Sequence, residues 1–398
     1  MFLEKPPDKP STATTAACRY CSEVSQRNGE DPIGTAISAQ QWLFIEVSQP
    51  WAKNPWQRQS KDLLALFDRV EKQSKLWTQL RILAIAADKE WSAPEKRHVF
   101  FYQQSDGPIT SYRQMHHHVP ASQLAQLIEA HLFQPKKLTA FEPFCLPDAR
   151  ALFVCTHTQY DLACGRFGTP LYRMLRSQYA RFQLPDPNPP DSGQPESHLP
   201  ASQQLQSHHT QRELSVWQTS HFGGHNFAPT LIDFPTGHFW GHLTPEKLDA
   251  LIYRQGDLAK LLPCYRGWAA LDRWGQIAER SLWMRFGWAW LTVSKSAHII
   301  RQDRGRWRDW LIRLVLGKFP SIRAQLIVQK LLQRLSWAEV TVRWEETRWE
   351  ATPEIASGQS HIRVEVSHEV LTQTKSGREQ PLTKVRQYKT VELPQLEK

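Results

Sequence analysis

Residues 155–165 read CTHTQYDLACG and carry two cysteines with eight residues between them. Residues 221–225 read HFGGH and carry two histidines four apart, 57 positions after the second cysteine. Two thiolates and two imidazoles make a complete four-ligand set, so Cys155, Cys164, His221 and His225 are the candidate metal ligands. Zinc accepts such a set tetrahedrally. A [2Fe–2S] cluster accepts it with Cys on one iron and His on the other. A zinc finger is disfavoured, because its paired cysteines stand closer, with about two to four residues between them. Without a metal, the thiols would pack as small buried hydrophobes and the histidines would make ordinary hydrogen bonds. Spacing alone leaves these readings open.

The elements around the four residues follow from periodicity. ARALFVCTH (149–157) reads as an apolar strand running into Cys155. PLYRMLRSQYARF (170–182) reads as a helix opened by Pro170. Cys164 is then expected in a loop ahead of that helix, with Gly165 and Gly168 permitting a tight backbone. Histidines four apart on a helix would share a face, but Gly223 and Gly224 between them argue for a tight loop instead. LSVWQTSH (214–221) and TLIDFP (230–235) read as strands, and TPEKLDALIYRQ (244–255) as a helix with Thr244 as N-cap and Glu246 in its first turn. The stretch 183–209 is rich in Pro, Ser and Gln and reads as a flexible insertion. It accounts for most of the gap between the two ligand pairs.

Upstream, WLFIEVS (42–48), RILAIAA (81–87) and HVFFYQ (98–103) read as strands, and 60–73 and 121–132 as helices. This alternation predicts an α/β layer fold with a partly parallel sheet. We expect a disordered lead-in over 1–17, an N-terminal α/β domain over 18–145, a second α/β unit over 146–262 and a basic helical and β region over 263–398. In the last region 306–319 and 324–335 have helical spacing, while 338–351 and 361–374 alternate like a hairpin.

The net charge is +10, and from Cys264 onward there are 23 Lys and Arg against 14 Asp and Glu. Nearly all the excess therefore lies in the last third, a basic surface suited to an acidic protein, nucleic acid or anionic membrane. The basic, Trp-containing stretch 299–310 reads better as a helix face with Trp307 and Trp310 buried than as a nucleic-acid site. No apolar run reaches transmembrane length. The N-terminus lacks the basic start and apolar core of a secretory signal. Six Cys in so long a chain argue against a disulfide scaffold and for a reducing, cytoplasmic compartment. No phosphate-binding Gly-rich loop or dinucleotide fingerprint is present.

Cys18 and Cys21 form a CxxC, which would serve a thiol oxidoreductase or half a zinc site. They follow a polar lead-in rather than a strand, and no second CxxC completes a site, so a structural role is the better expectation. His116, His117 and His118 read as strand alternation. His157, His238 and His242 are candidates to support or replace the ligands. Cys145 and Cys264 are expected to pack as apolar residues, and Glu30, Asp31 and Pro32 to form a turn.

CTHTQYDLACGRFGTPLYRML and SHFGGHNFAPTLIDFPTGHFWGHL, with CSEVSQRNGEDPIGTA (21–36) and YRGWAALDRWGQIAER (265–280), resemble the sucrase/ferredoxin-like family over about residues 18–280. The resemblance implies a thioredoxin-like ferredoxin domain preceded by a second α/β unit, here with a helical and β-hairpin C-terminal extension. It implies a [2Fe–2S] cluster on Cys155, Cys164, His221 and His225, and an electron carrier that meets a redox partner, acidic where it docks. Thioredoxin-like ferredoxins more often use four Cys, so this chain departs toward a Rieske-like set. Neutral imidazoles in place of thiolates raise the reduction potential. Amides near Gly165, Gly223 and Gly224 would tune it further. Glycoside hydrolysis needs two carboxylates across the scissile bond, and no acidic pair stands out. The alternatives are a zinc-stabilised binding module on the same four ligands and a thiol oxidoreductase acting through Cys18 and Cys21.

Overall fold

The computed structural model describes residues 19–182, 213–303, 335–346, 355–377 and 381–394, with Ile312, Val315 and Ile327 besides. The lead-in over 1–17, Cys18, the insertion over 183–209 and nearly all of the helices expected over 306–319 and 324–335 lie outside the described residues.

The first half of the chain runs α1 (Cys21–Arg27), β1 (Gln41–Glu46), α2 (Lys61–Lys72), α3 (Ser74–Gln79), β2 (Leu80–Ile85), β3 (Lys96–Gln103), β4 (Arg113–Pro120), α4 (Leu124–Phe133) and β5 (Cys145–Leu146). The second runs β6 (Arg150–Cys155), α5 (Leu162–Gln178), β7 (Leu214–Thr219), β8 (Leu231–Phe234), β9 (His238–Trp240), α6 (Leu248–Tyr253) and β10 (Tyr265–Trp268). Then come α7 (Arg273–Phe286), β11 (Lys295–Gln302), β12 (Trp337–Trp344), β13 (Gly358–Thr372) and β14 (Thr383–Leu393). Local chemistry sets the boundaries: the Ser60 side chain accepts from the Leu63 amide to open α2, and Asp272 caps α7 through Gly275. The α/β class expected from the alternation is the class observed.

One ten-stranded sheet, in the order β10-β9-β8-β6-β7-β2-β1-β3-β4-β5, runs through both halves. Each half repeats one plan. β1 and β2 are parallel across α2, with β3 and β4 antiparallel beyond β1. β6 and β7 are parallel across α5, with β8 and β9 antiparallel beyond β6. The corresponding strands β2 and β7 meet antiparallel at the single registered pair Ile85↔Thr219, as a two-fold axis between identical units would require. The Ser220 amide and the Thr219 hydroxyl both donate to the Ala84 carbonyl and extend this seam.

Alternate residues of each strand face opposite sides, and here both sides are buried. One side carries an aromatic layer drawn from both halves, including Trp42, Phe44, Phe153, Trp217 and Phe234. Phe44 stacks on Phe153 at 3.8 Å between centroids, yet their strands are separated by β7 and β2 in the sheet. Flat strands at about 4.8 Å spacing would hold them far apart, so the sheet curls around this layer. The other side is covered by α2 and α4 in the first half and by α5, α6 and α7 in the second. These cores absorb much of the tryptophan: Trp42, Trp217, Trp240, Trp268, Trp283 and Trp290 are among the largest fully buried side chains.

The C-terminal region forms a separate antiparallel sheet in the order β11-β12-β13-β14. The expected hairpin is present as β12 and β13, with β11 and β14 added at its edges. α7 joins the two sheets, because Ile277, Leu282 and Trp283 share one core with Val340 and Val364. The turn between β13 and β14 reaches back to the start of the described chain, where Gly377 bridges Arg19.

Candidate metal centre

β6 ends at Cys155, whose side chain is buried in the aromatic layer. The Asp161 carboxylate accepts from the Ala163 amide at 2.9 Å and starts α5 at Leu162. Cys164 therefore sits in the first helical turn, not in a loop ahead of a helix opened by Pro170. Pro170 lies inside the helix. The helix lies so close to β6 that a Cβ on Gly168 would stand 2.0 Å from the Cys155 carbonyl oxygen. This approach brings the two thiols together.

β7 leads into His221. Gly223 and Gly224 follow with φ of +86° and +75°, so HFGGH is a tight loop as expected, ending in a single 3-10 turn at His225–Phe227. Gly224 has a second reason to lack a side chain: a Cβ there would lie 2.2 Å from Arg266 Nη2. The Arg266 guanidinium donates to the Gly223 carbonyl, the Thr35 carbonyl and the Thr35 hydroxyl. Arg266 is 1% exposed, and among the described residues it forms no ion pair with a carboxylate.

The four expected ligands fall into two adjoining groups. Cys155, Cys164 and His221 place their donor atoms within 4.8 Å of one another. His221 Nδ1 stands 3.8 Å from the Cys155 sulfur and 3.6 Å from that of Cys164. His225 instead groups with Cys21 and Asp161. Its Nδ1 is 3.2 Å from Cys21 Sγ and 3.4 Å from an Asp161 oxygen. The two groups touch through the imidazoles, whose centroids are 5.4 Å apart. Tyr160, half-exposed, stacks on His221 at 3.7 Å. The thiols thus face the core and the imidazoles face the surface.

The electrostatics suit a bound cation. Burial opposes ionisation of Cys155, but hydrogen bonds from Cys164 and His221 outweigh it and hold that thiol well below its ordinary range. Cys164, donating to Cys155 and itself buried, is held well above. The pair therefore carries one negative charge readily and is primed to surrender a second proton to a metal. Burial lowers the His225 pKa, with Asp161 acting against it, so the ring is available as a neutral donor. Burial also pulls Arg266 down to about 10, while Cys155 and Cys164 push it up. Two soft sulfur donors, two imidazoles and a nearby buried guanidinium form a donor set that fits zinc or a [2Fe–2S] cluster.

Of the candidate supporting residues, His157 accepts from the His221 amide at 3.3 Å and contacts the Ala52 carbonyl through Nε2. It therefore fixes the backbone of a candidate ligand. His242 pairs with the Ser25 hydroxyl, and His238 packs on Trp268. His116 and His117 are both buried, so β4 does not alternate between solvent and core. His98 packs with His116 and His118 on the side of the aromatic layer, while His117 meets His131 of α4 on the other side. Cys145 is exposed rather than packed, with its sulfur 3.3 Å from His117 Nε2. Cys264 is buried and accepts from Lys247 Nζ at 3.1 Å. Every cysteine among the described residues is a free thiol.

Sequence reasoning missed Asp161, Arg266, Ser376 and the placement of Cys21. Only Asp161 left a local signal, an acidic residue at the start of a helix. Glu30, expected in a simple turn, is buried and accepts from Asn226 and Thr372. It braces the loop next to His225. No helix among the described residues is long and apolar enough to cross a membrane. A family model described as sucrase/ferredoxin-like matches residues 32–267, more than half of the chain. No curated protein and no solved structure matches.

Proposed function

The chain belongs to the sucrase/ferredoxin-like family, and from that premise we propose that it is an electron carrier holding a [2Fe–2S] cluster on Cys155, Cys164, His221 and His225. The observation that carries this reading is the group of Cys155, Cys164 and His221, met through the His221 ring by the adjoining group of His225, beside the buried Arg266, which pairs with no carboxylate among the described residues. The strand order of the second half, a parallel β-α-β pair flanked by an antiparallel hairpin, supports a thioredoxin-like ferredoxin unit over 146–262.

A bound cluster supplies one-electron chemistry at a potential raised by its two imidazoles. The chain does the rest. Cys155 and Cys164 anchor the core side, where the aromatic layer excludes water. The Arg266 guanidinium sets a positive potential that favours added negative charge. His221 and His225 lead toward the surface, with Tyr160 stacked on the first and shielding it. The half-exposed rim of Tyr160 and Leu162 gives a partner an apolar contact, and the chain's positive charge favours one that is acidic. A reducing, cytoplasmic setting would keep the thiols available.

A second reading has its own observation. Bonds of about 2.3 Å to sulfur and about 2.0 Å to nitrogen put two donors of one tetrahedral ion about 3.6 Å apart. Cys155, Cys164 and His221 stand at 3.8 and 3.6 Å, so these three also suit a single zinc in a binding module. A thiol oxidoreductase acting through Cys21 is less favoured, because burial pushes that thiol up to about 12 and the thiolate is the nucleophile. Anaerobic purification followed by metal analysis, visible absorption and EPR tests the assignment. Iron with matching sulfide and a reducible EPR signal is expected. Colourless protein with stoichiometric zinc would replace the cluster with the second reading.

A further inference from the structure

Either metal offers four protein positions, yet the described residues bring five Cys and His donors to this place. The fifth is Cys21. It is fully buried, at 0% exposure, and its sulfur lies 3.2 Å from His225 Nδ1. A metal position within bonding reach of one of these atoms is within reach of the other after a small side-chain rotation. The sulfur is held from two further sides. The Ser376 hydroxyl donates to it at 3.2 Å and accepts from the Cys21 amide at 3.1 Å. The Cys21 thiol in turn faces an Asp161 carboxylate oxygen at 3.8 Å. The Asp161 carboxylate accepts from the Ser376 amide and stands 3.4 Å from His225. Cys21 and Ser376 both lie outside the residues matched by the family model.

We propose that Cys21 is a reserve ligand of the metal centre, exchanging with His225 at one metal position, with Ser376 as the positioning residue that keeps its sulfur in place. The exchange breaks the bond from the metal to the His225 nitrogen and forms one to the Cys21 sulfur. The thiol proton passes to the freed imidazole, next to Asp161, and no electrons are gained or lost. The inference rests on the metal centre proposed above but not on whether iron or zinc fills it.

The test uses the full chain as wild type, His225→Ala and Cys21→Ala/His225→Ala. Cobalt(II) is added under argon, and in parallel iron and sulfide are supplied for reconstitution. Thiolate-to-cobalt absorption counts the sulfur ligands. The single variant should bind cobalt with that absorption about half again as strong as wild type, since three thiolates replace two. Its iron-loaded form should show a lower midpoint potential. The double variant should return to the two-thiolate spectrum and bind at least about tenfold more weakly than the single variant. Equal spectra and equal affinities for the two variants would overturn the proposal. Circular dichroism confirms folding, and His225→Asn, which keeps a polar side chain there, provides the same comparison if the alanine variants do not fold. A wild type that takes up cobalt but no cluster refutes the iron reading alone, and the cobalt comparison then decides the role of Cys21.

Discussion

Gly168→Ala probes the construction of the centre most directly. The new Cβ would stand 2.0 Å from the Cys155 carbonyl oxygen, whereas real Cβ contacts essentially never fall under 3.0 Å. The obstacle is backbone, so no rotamer change relieves it, and α5 must part from the end of β6 by about 1 Å. Alanine inside a helix gains about 1 kcal/mol over glycine, while overpacking costs about 1–3 kcal/mol. The net loss of stability is therefore small, about 0–2 kcal/mol. The metal is affected more. Cys155 and Cys164 ride on the two elements pushed apart, and a site tolerates about 0.2 Å of error in its bond lengths. Metal affinity should fall by about 10–100-fold, the range of a lost supporting contact, or further. Zinc competition against a chromogenic chelator measures the affinity, and urea unfolding of the metal-free chain measures the stability. Wild-type affinity in a folded variant would refute the claim that the approach of α5 to β6 assembles the thiol pair.

Three further perturbations follow from the same geometry. His221→Cys or His225→Cys should lower the midpoint potential of the iron-loaded protein by adding an anionic ligand; an unchanged potential and EPR spectrum would remove that histidine from the ligand set. Arg266→Met strands the Gly223 and Thr35 carbonyls and should cost about 2–4 kcal/mol by urea unfolding, with a lower midpoint potential, while Arg266→Lys should recover part of the potential; equal potentials in all three would show that the cation does not act on the centre. Acid should destabilise the metal-free chain through its buried histidines: burial holds His98 and His131 at about 3 and His117 at about 4, against about 6.5 when unfolded. Folded values below unfolded ones mean that this stability is complete above about pH 6.5 and is lost as the pH falls toward 3, so the urea midpoint should drop over that window, less steeply in His131→Phe, and a flat profile would contradict the assignment.

The alternation of strands and helices was legible because β1, β3 and β6 are buried on both faces and read as nearly unbroken apolar runs. The HFGGH loop was legible for a different reason: Gly223 and Gly224 adopt left-handed backbone that other residues avoid. The first turn of α5 was hidden. GRFG and Pro170 argue against a helix by propensity, but Gly168 is required there by the carbonyl of Cys155, a tertiary constraint that overrides the local one. β14 was hidden by its polar composition, since only Gln387 and Tyr388 are buried along it. Spacing and the family resemblance made the two pairs one candidate set, but neither placed His225 beside Cys21. That contact depends on α1, which a CxxC pattern with an incomplete partner set did not reveal as part of the centre.

The hydrogen bond between Ser376 and Cys21 joins positions 355 apart, and this orders events in time. During synthesis Cys21, Asp161 and His225 leave the ribosome well before Ser376. At about 5–20 residues per second the interval after His225 is roughly 10–30 s. In that interval the donors lack the hairpin that latches them, and a metal at the proposed centre would be open to exchange. Once the β13–β14 turn folds back, the Ser376 amide engages Asp161 and its hydroxyl engages the Cys21 sulfur, fixing both side chains. A metal held at the proposed centre would thus depend on that hairpin for retention, and a chain truncated before it should exchange the metal faster.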